Sequence, residues 1–228
     1  MIGVAAGLAA AALAAHGTWH RNSWLFGPVM NRLPGAPDSV SITFDDGPNP
    51  VATPLILDAL REEDVRATFF ILGRHADQWP ALVRRIADEG HQIGNHGYFH
   101  RKLHRRTPGY VRDDLTRGTE SIERACGVRP KVFRAPHGFR SPWVTPIARS
   151  LGQRTIGWSL GVWDSARPGA DEIVRRTMEG MHAGSILLLH DGDGYDIDGD
   201  RTQTAEALPR IIEGLRAKGL GFVTLPEG

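Results

Sequence analysis

Cysteine is nearly missing from this chain of 228 residues. Cys126 stands alone, so an internal disulfide is excluded and no second thiolate exists to complete a cysteine metal site. Just before Gly127 it reads as a small filler at a helix end. Missing too is any excess of one charge: 27 Lys and Arg stand against 26 Asp and Glu, a formal net charge of +1. The broad positive field that holds a phosphate backbone is therefore lacking, and nucleic acid is not expected as a partner. Beyond residue 15 there is no long apolar run, and nowhere an internal repeat or a low-complexity linker.

The one apolar stretch is Ile2 to Ala15, unbroken and rich in alanine. It is shorter than the about 20 residues a bilayer span needs. It reads either as a signal-peptide core, with Ala12-Leu13-Ala14 as a small-x-small cleavage site, or as an apolar helix lying on a membrane or packed on the domain; no Lys or Arg precedes it. Export or membrane association through this segment is the resulting expectation. Residues 16–38, rich in Trp, Pro, Gly and Asn, read as a connector whose Trp24, Leu25 and Phe26 pack on the domain behind it. The expected division is an N-terminal segment and connector, 1–37, and one catalytic domain, 38–228, since 41% hydrophobic residues suffice for one sizeable core.

From Pro37 onward, short β-rich apolar runs alternate with stretches of helical period. The runs are Val40–Phe44, Ala67–Leu72, His91–Gly94, Lys131–Phe133, Arg154–Trp158, Ser185–Leu189 and Gly221–Leu225; helices are expected over Val51–Glu63, Pro80–Glu89, Tyr110–Ala125, Pro142–Ser150, Ala170–Met181 and Thr202–Lys218. Pro80 suits a first helical turn, and Gly90, Gly127 and Gly219 stand where helices stop. The pattern predicts an α/β fold, a distorted (β/α) barrel of about seven parallel strands.

Polar clusters end the strands: Asp45-Asp46 after the first, Asn95-His96 and His100 after the third, Arg134 to Gly138 after the fourth, Asp164 beyond the fifth, His190-Asp191 after the sixth. In parallel β/α folds the C-terminal strand ends share one face, where the active site lies. His96 and His100 are four apart, which on a helical turn would aim both imidazoles at one ion, and a carboxylate from another strand end would complete two His, one Asp and an open position. Adjacent Asp45 and Asp46 can divide the work of binding metal and accepting a proton, and a histidine off the metal, His190, suits the donor that an amide leaving group needs.

These residues resemble the polysaccharide deacetylases, carbohydrate esterase family four, over about residues 38–226. Thr43-Phe44-Asp45-Asp46-Gly47-Pro48 matches the family's first motif throughout. The resemblance implies Asp45 as general base, Asp46, His96 and His100 as ligands of zinc or another divalent metal such as cobalt, and Arg134 as the group orienting Asp45. It further implies that the His137 amide helps bind the oxyanion, that Leu188 lines the acetyl pocket, and that His190 is the general acid. Gly97 stands where the second motif has a hydroxyl residue, and His137 where the third has an aromatic one. The fourth motif diverges most: Asp164, the implied partner of His190, is followed by Ser165 instead of Trp, with Trp158 and Trp163 upstream as candidate walls. The implied activity is removal of N-acetyl groups from a sugar polymer or glycoconjugate. Alternatives are an O-acetyl ester or formamide hydrolase on a glycan or lipid-linked sugar, and a glycan-binding barrel without turnover. Arg101, Lys102, Arg105 and Arg106 read as a solvated loop, with contact to an anionic glycan as the alternative. Asp191, Asp193, Asp196, Asp198 and Asp200 fit no complete calcium loop and read as a polar rim.

Overall fold

The computed structural model describes residues 2–227; Met1 and Gly228, the outer ends of the two expected segments, lie outside them. Seven parallel strands form the sheet: β1 (Ser39–Asp45), β2 (Thr68–Ile71), β3 (Gln92–Asn95), β4 (Val132–Phe133), β5 (Arg154–Thr155), β6 (Leu160–Gly161) and β7 (Ile186–His190). They run in the order β5-β4-β3-β2-β1-β7-β6, and β8 (Gly221–Phe222) adds to the start of β1. Chain-adjacent β5 and β6 are the two edges, so the barrel curls almost round and stays open between them. β1 and β7 are buried along nearly their whole length, as strands covered on both faces must be.

The helices are α1 (Ile2–Trp19), α2 (Ala52–Glu62), α3 (Gly73–Gln78), α4 (Pro80–Asp88), α5 (Pro108–Cys126), α6 (Val144–Ser150), α7 (Ala170–Gly180) and α8 (Thr202–Ala217). Their ends obey local chemistry. Asn49 Oδ1 accepts from the amides of Val51 and Ala52 at 2.9 Å, starting α2. Thr107 accepts from the Tyr110 amide ahead of Pro108, and Gly127 closes α5 at φ 77°. The apolar faces of α2, α4, α7 and α8 meet β1, β2 and β7 in one core that includes Ile56, Leu60, Leu187 and Leu208.

Of the three connector residues expected to pack on the domain, Trp24 is 81% exposed and Leu25 is exposed as well. Two elements also differ from the sequence expectation. The run Arg154–Trp158 pairs with β4 only at its first two residues; the chain then bends and returns as β6. The bend exists because the connector occupies the seam. Met30 donates to Thr155 O and accepts from the Gly157 amide, Leu33 donates to Gly184 O, and Asn22 Nδ2 donates to Trp158 O. Residues 30–33 thus serve the sheet edge, and Arg140, fully buried, holds Ser23 O beside them. The second difference is α3, too short for its period to stand out. Along α1, Leu8 and Leu13 are exposed, and Gly17 seats the helix end on the Phe26 ring. Among the described residues no helix is long and apolar enough to cross a membrane.

Three glycines let α3, α5 and the loop after β3 approach one another. The Gly73 amide donates to Gly97 O at 2.9 Å, and a Cβ on Gly118 would lie 2.5 Å from Asn95 Oδ1 and 2.9 Å from the Gly97 carbonyl. Gly118→Ala is expected to destabilise the protein by about 1–3 kcal/mol, because two of the colliding atoms are backbone. A lowered urea midpoint at unchanged slope reads this; an unchanged midpoint would contradict the tight approach.

Candidate active site

Asp45 ends β1, and its register partners are Phe70 on β2 and His190 on β7. Asp46 comes next in a left-handed conformation, φ 74°. The Asp46 carbonyl accepts from His75 Nδ1 at 2.8 Å, and since a carbonyl only accepts, that nitrogen carries the proton. Burial pushes His75 down to about 4, so its ring is neutral.

Asp46 Oδ1 lies 3.2 Å from His96 Nε2 and 3.1 Å from His100 Nε2, and all three side chains are buried. His96 Nδ1 donates to Arg134 O at 2.9 Å, which leaves Nε2 as a lone pair aimed at Asp46. Two imidazole nitrogens and a carboxylate oxygen converge within 4.8 Å, the donor set and spacing of one shared cation. One cation satisfies all three, so these residues could hold a metal. Burial raises the Asp46 carboxyl, but the His100 and His96 imidazoles outweigh it and hold it well below the usual range. The two histidines do not share a helical turn, contrary to what their spacing suggests. They sit on an irregular loop, with Gly97 at φ 78° and His100 at φ 56°.

That loop needs no hydroxyl at position 97. Asn95 Oδ1 accepts from the Gly97 amide at 2.8 Å, and Asp114 on α5 accepts from the amides of Tyr98 and Phe99. A Cβ on Gly97 would stand 2.5 Å from Asp114 Oδ2. Asp114 belongs to no motif in the sequence, although an acid among Val111, Leu115 and Ile122 on the apolar stripe of α5 is itself a signal.

Arg134 is fully buried and donates to Asp45 Oδ1 at 2.7 Å, Thr43 Oγ1 at 2.8 Å and Gly157 O at 2.9 Å. Its guanidinium lies over Phe70, 4.1 Å from the ring centre. Asp45 Oδ2 faces His96 Nε2 at 3.8 Å. On the other flank His190 Nδ1 meets Asp164 Oδ1 at 2.9 Å, and Asp164 Oδ2 accepts from the His190 amide at 2.7 Å and from Thr204 Oγ1 at 3.1 Å. Burial alone would lower His190; the Asp164 charge and hydrogen bond outweigh it and push it up to about 9.

Asp45, Asp46, His96, His100, His137, Trp163, Asp164, Leu188 and His190 all line one cavity of about 660 Å³. Arg134 lies behind it. Leu188 shares the face of β7 with His190, two residues on. Trp163 is 73% exposed at the rim with φ 60°, and Trp158 lines the wall below. His137, at φ 62°, packs on His100 and meets the Tyr195 hydroxyl at 2.8 Å; burial pushes it down to about 4. Tyr195 lies in the acidic loop that the sequence presents as a rim, and it forms a cavity wall. Asp191 departs from the rim expectation as well. It is buried, accepts from Thr53 Oγ1 at 2.6 Å, and is raised to about 7 by burial and then by the Asp46 charge. A Cβ on Gly47 would lie 2.0 Å from Asp191, so this carboxyl packs directly behind the aspartate pair.

A model of the polysaccharide deacetylase family matches residues 32–156, more than half of the chain. A chitooligosaccharide deacetylase of Bradyrhizobium sp. (strain ANU 289) is 37% identical over 198 residues, 83% of this chain and 90% of that one. A peptidoglycan-N-acetylglucosamine deacetylase of Bacillus cereus is 35% identical over 217 residues, 92% of this chain and 76% of that one. The crystal structure of the Bc1960 peptidoglycan N-acetylglucosamine deacetylase, with a hydroxamate-type benzamide bound, superposes with a TM-score of 0.81 at 35% identity, covering 87% of this chain and 90% of that one. By strand topology, by the residues gathered at the strand ends and by these matches, the chain belongs to the polysaccharide deacetylase family.

Proposed function

We propose that this protein is a metal-dependent hydrolase that removes N-acetyl groups from a polymer or glycoconjugate containing N-acetylglucosamine. The observation that carries the reading is the pairing of Asp45 with His190 across β1 and β7, which sets a carboxylate and an imidazole beside the Asp46, His96 and His100 triangle. Two imidazoles and one carboxylate fit zinc, and cobalt suits the same donors. Bound there, such an ion would polarise the acetamide carbonyl and make a water more acidic.

The chain's own residues account for the proton movements. Asp45 keeps Oδ1 on Arg134, which leaves Oδ2 to take a proton from the attacking water. His190 keeps Nδ1 on Asp164, so Nε2 is the atom that delivers a proton to the departing sugar nitrogen. With its pKa pushed up to about 9, the imidazole holds that proton at neutral pH. The His137 amide is assigned to the carbonyl oxygen as charge grows on it, Leu188 to the acetyl methyl and Trp163 to the sugar. A free amine and acetate result.

The test is acetate release from N-acetylglucosamine oligomers. Retention of the glycan without acetate would leave only a binding barrel. Asp45→Asn and His190→Ala are each expected to lower kcat by about two to four orders of magnitude while metal content, read by mass spectrometry, stays at the wild-type level. Asp46→Ala should instead lose the metal, and chelation of the wild-type protein should abolish acetate release until zinc or cobalt is returned. In a pH profile of kcat/KM the alkaline limb reports loss of the His190 proton, above the ordinary histidine value near 6.5. Asp164→Asn removes the charge that holds that proton, so the limb moves to lower pH; a stationary limb would rule out this pairing.

A further inference from the structure

The charges around the catalytic cavity do not balance locally. Of the four carboxylates that line it, Asp46 belongs to the triangle that could hold a metal, and the other three have a positive or proton-bearing partner, Asp45 with Arg134 at 2.7 Å, Asp164 with His190 at 2.9 Å and Asp193 with Arg201 at 2.6 Å. Two cations that line the same cavity have none. Arg21 and Lys102 enter no ion pair and donate no side-chain hydrogen bond among the described residues. The acidic loop does not supply one. Asp193, Asp196 and Asp200 accept from the loop's own amides, at Tyr195, Asp198 and Thr202.

Both cations are exposed side chains on the wall of the cavity that holds Asp45 and His190. Arg21 comes from the connector that closes the barrel seam. Its guanidinium lies over Trp158, 5.3 Å from the ring centre, and the same ring has the Arg134 guanidinium as a neighbour at 5.6 Å. Arg21 therefore stands one aromatic ring away from the group that orients Asp45. Its stem passes so close to Gly138 that a Cβ there would sit 2.9 Å from Arg21 Cβ. Lys102 stands two residues after His100 and is set by the turn whose Leu103 is buried. Arg101, Arg105 and Arg106, the rest of that basic run, are exposed as well but do not line the cavity, and Arg106 lies over the Tyr110 ring.

We propose that Arg21 and Lys102 form an anion subsite at the mouth of the cavity, and that the substrate is a glycan bearing a carboxylate or phosphate close to its N-acetylated sugar. The inference rests on the deacetylase reading and narrows its substrate class. A neutral oligosaccharide leaves both cations unmatched, whereas an anionic one gains charge-assisted hydrogen bonds, about twice as strong as neutral ones, and is drawn to the mouth.

Three tetrasaccharides of N-acetylglucosamine decide it: the neutral one, one with lactyl-ether carboxylates on alternate sugars, and one phosphorylated at the 6-hydroxyls. One anionic form should exceed the neutral one in kcat/KM by about tenfold or more, chiefly through KM, and the advantage should shrink as NaCl rises from low to molar concentration. Which form gains identifies the anion. In the double variant Arg21→Gln, Lys102→Gln the ratio of anionic to neutral should fall about tenfold. Equal kcat/KM for all three, or a ratio that the double variant leaves in place, would overturn the subsite. Titration calorimetry of the same glycans reads the ratio as affinities without turnover. A protein that releases no acetate from any of them refutes the deacetylase reading, while the affinities still judge the subsite.

Discussion

The site depends on one buried cation that cannot give up its charge. Arg134 is closed off from water, and its guanidinium spans Asp45, Thr43 and Gly157 while its carbonyl accepts a hydrogen bond from His96 Nδ1. One residue thereby sets the orientation of the carboxylate beside the cavity and the tautomer of an imidazole within it. Taking a guanidinium out of water costs several kcal/mol, which only full pairing offsets, and removal of one partner leaves the other buried and uncompensated. The position of Asp45 relative to the histidine pair is accordingly stiff, because any rotation of the carboxylate breaks the pairing that makes Arg134 tolerable in the interior.

Around that ion pair the parallel sheet does the gathering. Strand ends at Asp45, Asn95, Phe133 and His190 come to one rim, since parallel neighbours in register deliver their C-termini to the same face. The loops leave this rim by left-handed turns at Asp46, Gly97, His100, His137 and Trp163. Such conformations cost about 1–3 kcal/mol each outside glycine and persist where the surroundings over-determine them. Here His75 holds the carbonyl of Asp46 and Asp114 holds the amides after Gly97. Strain and support lie in adjacent layers of the same site.

The open edge of the barrel also shapes the mouth of the cavity. A closed ring would need no connector, but the gap between β5 and β6 is filled by residues 22–33, and that places the segment's own side chains at the mouth. The lining of the cavity thus comes from two directions. The strand ends bring the reacting groups, and the N-terminal segment with the acidic loop brings Trp19, Arg21 and Tyr195 to the walls.

The sequence by itself determined the alternation of strands and helices, to within a residue or two for most elements, and the identity of the polar groups that end the strands. Both are written in local patterns: apolar runs of period two or continuous burial, helical stripes, and motifs of five or six residues. Only the tertiary structure decided the rest. His75, Asp114, Asp191 and Tyr195 reach the site through contacts between distant parts of the chain, for example the Thr53–Asp191 and His137–Tyr195 bonds, which leave no periodic trace. His96 and His100 meet Asp46 because a loop of left-handed residues folds them inward, not because four residues make a helical turn. Asp164, whose motif lacks its tryptophan, reaches His190 because the bend after β6 carries it there and Thr204 on α8 fixes its second oxygen. Motif spacing constrains neighbours along the backbone. Where a buried carboxylate finds its partner is settled by the packing of the whole barrel, which pairs such charges across the fold because leaving them unpaired is costly.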